Sequence, residues 1–376
     1  MGKFGHKNVI NLNPLSYNIG LVGESGIGKS TITKQICEKL VGENGYISLD
    51  IGKEDGHKAI SGIITQKVPD WATFAEVVDD IVENKESDYP DLKVVVIDTY
   101  DQLCEIAEKE AIRLYNKTEA GQKSKALTIN AAWGGFGRGL EKTIDLMLTK
   151  LWELKEVGVS FIITAHAKRT DITDVMTEEQ YTMLTSNTTQ KYFNAIKQKL
   201  DFLGMAYIDR DIVKEKTKKK DKNGSYIEKG KVAGESRVIN FRDDTYSVDS
   251  KCRFANIVGK IPFDADEFIK AMQDAILAEQ QNDGISVKEA QKKQEKEEKE
   301  FRKKASEYSE SIKAKKNAEV TEASRQEYIE KIKNGVSNTT PEVKAQAKTL
   351  LSESGCTKFS DPELPIEQLK KISELF

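Results

Sequence analysis

Gly23-Glu24-Ser25-Gly26-Ile27-Gly28-Lys29-Ser30 has the spacing G-x-x-x-x-G-K-S. Glycines at those places let successive backbone N–H groups turn inward and cradle a phosphate chain. A helix starting at the end of the loop adds the positive end of its dipole. Lys29 supplies a point charge for the terminal phosphates, and Ser30 a hydroxyl for Mg²⁺. Gly23 to Thr31 is therefore the candidate binding loop for a nucleoside triphosphate with Mg²⁺.

Such a loop needs a carboxylate to hold the metal's water shell. Asp98 ends the apolar run Val94-Val95-Val96-Ile97 and fits that role. A hydrolase also needs a group that orients or deprotonates the attacking water. Asp50, at the end of a second apolar run, and Glu54 and Asp55 just beyond it are the candidates. His166 ends a third run, Val159–Ala165, where a polar group can sense the terminal phosphate. Lys168 and Arg169 follow, and a cation there that reached a neighbouring subunit's phosphate would act as an arginine finger.

Two segments suit a polyanion. Trp133-Gly134-Gly135-Phe136-Gly137-Arg138-Gly139 combines aromatic faces, backbone freedom and a cation, as a loop that stacks on unpaired bases does. The lysine-rich stretch around Lys218, Lys219 and Lys220 could track a nucleic-acid backbone with salt-dependent affinity. Its centre, Lys222-Asn223-Gly224-Ser225, is a hairpin-turn signal. The bland alternatives are a turn with Trp133 buried and a solvated charged loop.

Alternating strand and helix signals must position these groups. Ile19–Val22 reads as a buried strand feeding the loop, and Ile32, Ile36 and Leu40 recur at helical spacing after it. Tyr46–Ile51, Lys93–Asp98 and Val159–Ala165 read as further buried strands, with Ile63-Ile64 as a short one. Helices are expected after Pro69-Asp70, after Asp98 and over Leu140–Val157. The alternation predicts an α/β fold with a mostly parallel sheet flanked by helices. From about residue 200 the pattern turns antiparallel: a strand over Phe202–Ile208, then a strand pair of Arg237–Arg242 with Thr245–Val248. Residues 285–333 are rich in Lys, Glu, Gln and Ala and read as a solvated helix or helical hairpin. The expected organisation is a core over 1–265 carrying a lysine-rich hairpin at 209–236, a charged helical arm over 266–335, and a small helical module over 336–376.

A net charge of -3 gives no global pull toward nucleic acid, so any such site is a local patch. The four cysteines are far apart, which argues against a zinc site or a disulfide framework. No apolar run approaches a membrane span, and the first residues lack a signal-peptide core, so a cytoplasmic location is expected. The string Asn116-Lys117-Thr118-Glu119 fails the guanine-reading N-K-x-D pattern, and no L-S-G-G-Q or Arg-rich lid is evident.

The order GESGIGKS, LDIGKEDG, VVVIDTYDQL, ITAHAKR resembles the RecA-type core ATPases over about residues 15–260. More narrowly, it resembles the phage-encoded cores counted among single-strand annealing recombinases. The resemblance implies a RecA-like core in which Lys29, Ser30 and Asp98 bind Mg-ATP. Asp50 or Glu54 stands for the catalytic acid, His166 for the sensor, and Lys168 with Arg169 for the finger. It implies an oligomer, ring or filament, with ATP between subunits, acting on single-stranded DNA, in host cytoplasm if phage-encoded. The alternatives are a hexameric helicase or helicase loader, an ATP-regulated assembly module with a protein partner on the C-terminal helices, and a nucleotide kinase.

Overall fold

The structure is a computed structural model that describes residues 9–174, 177–220, 226–243, 247–282, 287–336 and 339–376. The strands and helices, in chain order, are β1 (Ile19–Gly23), α1 (Lys29–Val41), β2 (Tyr46–Ile51), β3 (Thr65–Val68), α2 (Trp71–Glu83), β4 (Val94–Asp98), α3 (Tyr100–Lys117) and α4 (Glu119–Lys123). Next come α5 (Arg138–Glu156), β5 (Ser160–Thr173), β6 (Gln180–Ser186), α6 (Gln190–Lys197), β7 (Phe202–Lys220) and β8 (Tyr226–Asn240). The chain continues through β9 (Lys251–Cys252), β10 (Lys260–Pro262), α7 (Ala265–Asn282), α8 (Val287–Val336), α9 (Pro341–Glu353) and α10 (Ile366–Ser373).

The main sheet runs β10-β8-β7-β1-β5-β4-β2-β3. From β3 to β7 every neighbouring pair is parallel. β5 therefore stands between the strand that feeds the phosphate loop and the strand that ends in Asp98. This is a mostly parallel, helix-flanked sheet, as the alternating pattern predicted. It sets the carboxyl ends of β1, β5, β4 and β2 side by side along one edge.

The continuous apolar runs of β1, β4 and β5 are buried on both faces, as a covered parallel sheet requires. On one face Ile32 and Ile36 of α1 pack with Ile162, Phe202 and Phe241, and with Phe268 and Met272 of α7. On the other, Phe161 meets Trp152 of α5 at 5.6 Å between ring centres. α2 starts at Asp70, whose side chain accepts the Thr73 N–H at 2.9 Å, and buries Phe74, Val78 and Ile81. Each of those three contributes roughly 1.5–3 kcal/mol by leaving water.

The chain divides into two compact units, Met1–Ser306 and Glu307–Phe376, with the division inside α8. This differs from the expected boundary after residue 265. The reason is packing: α7 buries Phe268, Met272 and Ile276 against the sheet and belongs to the first unit. Residues 287–336 form one helix and not a hairpin. Its first part also lies on the first unit, with Ala290 buried and the Gln294 amide donating to the Ile10 carbonyl at 2.8 Å. In the second unit Ile329 and Ile332 of α8 pack with Leu351, Leu364, Leu369 and Ile372. There Arg325 donates to the carbonyls of Asp361 and Leu364 at 3.1 and 2.7 Å.

Among the described residues, the expected pairing of 237–242 with 245–248 is not found. Arg237–Asn240 is the end of β8, which pairs with β7 and β10. Val248 instead makes a single bridge to Leu184. Residues 244–246, and the turn expected at 222–225, lie outside the described residues. β7 is bonded to β1 only over 202–206, and β8 to β10 only over 238–240. Beyond those residues the two strands run on as a two-stranded ribbon from the edge that carries the phosphate loop. β5 likewise runs past Ala165 and pairs antiparallel with β6 over 167–173.

Among the described residues, no helix is long and apolar enough to cross a membrane.

Candidate nucleotide site

The loop between β1 and α1 turns through Gly26 and Gly28, at φ 76° and 105°. That left-handed backbone favours glycine, so glycine is a conformational requirement at Gly28, a fixed position of the motif, and at Gly26, one of its variable positions. Ser25, Gly26 and Thr31 are exposed, whereas Ile27 is buried as the loop's anchor. From the ribbon side, Arg237 donates to the Ile27 carbonyl at 3.3 Å. Phe263 lies 3.4 Å from where a side chain on Gly28 would begin. Glu24 ties the loop to its neighbours: its N–H donates to the Ala206 carbonyl at 3.3 Å, and its carboxylate accepts the Ile208 N–H at 3.4 Å.

Lys29 is 6 % exposed. Its ammonium donates to the carbonyls of Gly23 and Glu24 at 3.1 and 3.2 Å. Burial pushes its pKa below the usual lysine value, and the nearby carboxylates of Asp98, Asp101 and Glu54 oppose that shift only in part. A poorly solvated cation, held only by two backbone carbonyls and neighbouring carboxylates, is poised to gain from a polyphosphate.

Asp98 is the hub of the site. Its Oδ2 accepts the Ser30 hydroxyl at 2.6 Å and lies 2.8 Å from His57 Nε2; its Oδ1 accepts the Thr164 hydroxyl at 2.5 Å. Burial alone would raise its pKa, but hydrogen bonds from His57, Ser30 and Thr164 outweigh this and hold the carboxyl below its ordinary value. Thr164 is available because β5 lies beside β4. Asp50 sits opposite Asp98 in the β2–β4 register. Its Oδ2 takes the Lys67 ammonium at 3.1 Å, while its Oδ1 is buried with no hydrogen-bond partner.

These groups fit Mg²⁺. The cation takes hard oxygen ligands and is usually held by one or two carboxylates together with substrate phosphates and water. Ser30 and Asp98 offer a hydroxyl and a carboxylate in contact, and Asp50 Oδ1 is an unused acceptor for a water. No larger cluster of metal-binding side chains is found among the described residues.

Glu54 stands just past β2 on a well-tied turn. Gly52 N–H donates to the Val68 carbonyl at 2.8 Å, Lys53 N–H to the Gln102 side chain at 3.1 Å, and the Lys67 ammonium to the Glu54 carbonyl. Its carboxylate accepts the Thr99 hydroxyl at 3.5 Å and lies 3.9 Å from His166 Nδ1. Asp101 holds His166 twice, accepting its backbone N–H at 2.8 Å and lying 3.0 Å from Nδ1. Asp55 turns away to pair with Lys58 at 2.7 Å in solvent. Lys168 is exposed, and Arg169, 59 % exposed, reaches this chain's own Glu24 at 3.4 Å.

Lys29, Ser30, Asp98, Asp50, Glu54 and His166 thus meet at one sheet edge. Sequence reasoning missed His57, Asp101 and Thr164. Thr164 sits two residues before the strand-end histidine and could have been found from sheet alternation. His57 and Asp101 carry no local signal, because their roles depend on strand order.

The Gly-aromatic loop divides by residue. Trp133 is half-buried: its indole N–H donates to the Ala111 carbonyl at 3.0 Å, and it packs on Tyr115 at 5.8 Å. Phe136 is fully exposed, and Arg138 opens α5 in solvent. Trp133→Ala is therefore expected to cost ~2 kcal/mol, about half of a fully buried aromatic truncation. Phe136→Ala should leave the melting curve unchanged; thermal denaturation of both variants checks this. Lys218, Lys219 and Lys220 occupy the far end of β7.

A family model described as an AAA domain matches residues 16–254. Among solved structures the chain is similar to one described as the crystal structure of the RadB recombinase. That match has 12% identity and a TM-score of 0.28 and covers 60% of this chain and 79% of that one. A search of curated proteins finds no match.

Proposed function

The chain belongs to the AAA-domain family, and we propose that it is a magnesium-dependent ATPase that acts on single-stranded DNA as an oligomer, in phage recombination or replication. The observation that supports hydrolysis best is the pairing of a metal-holding cluster, Ser30 with Asp98, and a water-side cluster, Glu54 with Thr99 and His166, beside one phosphate loop. Mg²⁺ when bound would neutralise charge on the phosphate oxygens. Lys29 and the loop N–H groups would hold the phosphate chain. Glu54 would accept a proton from water, or orient it, with its carboxylate placed by Thr99. His166, fixed by Asp101, would report the terminal phosphate to the β5–β6 extension. Lys168 and Arg169 are exposed beyond it, as a cation serving a neighbouring subunit's phosphate has to be.

The ribbon and the exposed Phe136 support the DNA reading. Phe136 would stack on unpaired bases, and Lys218, Lys219 and Lys220 would follow the backbone. Phosphate release with and without oligo-dT tests the whole reading, with light scattering under an ATP analogue for assembly. No DNA stimulation and no salt-sensitive binding would sink it. Strand displacement would favour a helicase, and phosphate transfer to a nucleoside monophosphate a kinase. Replacing Lys218, Lys219 and Lys220 together by alanine is expected to weaken oligo-dT binding and flatten the log-affinity against log-salt slope by about 2. Fluorescence titrations at several salt concentrations measure that slope.

A further inference from the structure

His57 lies on a single 3-10 turn, Gly56–Ala59, in the loop between β2 and β3. It is 5 % exposed. A histidine so buried needs partners for both ring nitrogens. Nε2 faces the Asp98 carboxylate at 2.8 Å, with Ser48 Oγ at 3.4 Å, and Nδ1 lies 2.6 Å from Thr65 Oγ1. A carboxylate accepts, so Nε2 carries the proton toward Asp98. In the neutral ring Nδ1 then accepts the Thr65 hydroxyl.

Asp98 thus receives three side-chain donors. Ser30 comes from the phosphate-loop helix and Thr164 from the adjacent strand. The third comes from the loop that carries Glu54 three residues earlier. That loop's other ties, to Val68, Gln102, Lys67 and the Thr99 hydroxyl, fix it to β3, α3 and the residue after Asp98, but none of them reaches the metal-holding carboxylate itself.

We infer that His57 is a positioning residue that docks the Glu54 loop onto Asp98, so that the metal-holding and water-side halves of the site keep one geometry. This rests on the reading of Asp98 and Glu54 as parts of a magnesium–nucleotide site. Residues that orient a ligand from behind are worth about 10–100-fold in metal affinity or activity.

The experiment compares full-length wild type, His57→Phe, His57→Gln and His57→Asn. Affinity for ATPγS is measured in EDTA and in magnesium, alongside kcat, KM and the melting temperature. His57→Phe fills the space without a donor. It should bind ATPγS in EDTA as wild type does, lose ~10–100-fold of the gain that magnesium gives, and lose kcat on the same scale. Gln places an amide N–H near the Nε2 position and should recover most of both quantities. Asn is too short to reach Asp98 and should not. Magnesium gain and kcat within twofold of wild type in His57→Phe overturn the inference. If His57→Phe does not melt cooperatively, the Gln and Asn pair decides, and equal behaviour of the two overturns it. A wild type that binds magnesium–ATPγS but does not turn over refutes the ATPase reading, while the magnesium gain still tests His57.

Discussion

Replacing Lys29 by alanine is expected to cut ATP turnover by roughly two to three orders of magnitude, the scale for removing a preorganised charge or donor from developing phosphate charge. The same change should leave the melting temperature of the nucleotide-free protein equal or higher. Both expectations follow from one geometry. Lys29 is buried in the loop with two carbonyls as its hydrogen-bond acceptors. Its pKa is lowered chiefly by burial, so the folded state disfavours the charged form relative to the unfolded chain. For a lysine lowered in the fold, that cost is fully present at pH values below the folded pKa. It fades as pH rises from the folded toward the unfolded value. Alanine removes the cost together with two modest hydrogen bonds. Wild type should gain melting temperature with ATPγS through preferential binding to the folded state, and the variant should gain little. Phosphate release and thermal melts with and without nucleotide measure all of this. Undiminished turnover in the variant would falsify the assignment of Gly23–Thr31 as the phosphate loop.

The phosphate loop was legible in the sequence because its chemistry is local: glycine φ angles, a lysine and a hydroxyl lie within eight consecutive residues. Asp98 was legible for a similar reason, since a fully buried strand writes a continuous apolar run that ends where the carboxylate begins. His57 was not. It reaches Asp98 only because β2 lies beside β4 in the sheet, and no spacing along the chain encodes strand order. The strand β6 and the continuation of β5 past Ala165 were hidden by exposure. No side chain is buried over 168–173, so no apolar alternation marks the strand there, and its apolar run ends at Ala165. Residues from 266 read as part of a helical arm, and the attachment of α7 to the sheet is not foreseen, because a helix's own pattern does not reveal what its apolar face covers.

The same strand order separates Asp50 from Glu54, which local spacing left as equal candidates for the water-activating acid. Asp50 is nearly enclosed, with one oxygen committed to Lys67 and the other buried and unpartnered. Glu54 is part-exposed and lies next to Thr99 and His166. A general base must reach a water beside the terminal phosphate, and it contributes about 10²–10⁴-fold. We therefore expect Glu54→Gln to lower kcat by ~10²–10³-fold while ATPγS affinity and melting temperature stay near wild type. Asp50→Asn should act differently. It removes a charge from a pair that is enclosed on the Asp50 side but whose Lys67 end is 47 % exposed. Solvent at Lys67 discounts the loss to about 1–2 kcal/mol, below that of a fully buried pair. The accompanying fall in turnover should be smaller than for Glu54→Gln, because Lys67 also holds the Glu54 carbonyl and keeps that tie. Urea denaturation and single-turnover phosphate release on the two variants separate the roles. Asp50→Asn with native stability and the larger loss of turnover would transfer the catalytic role from Glu54 to Asp50.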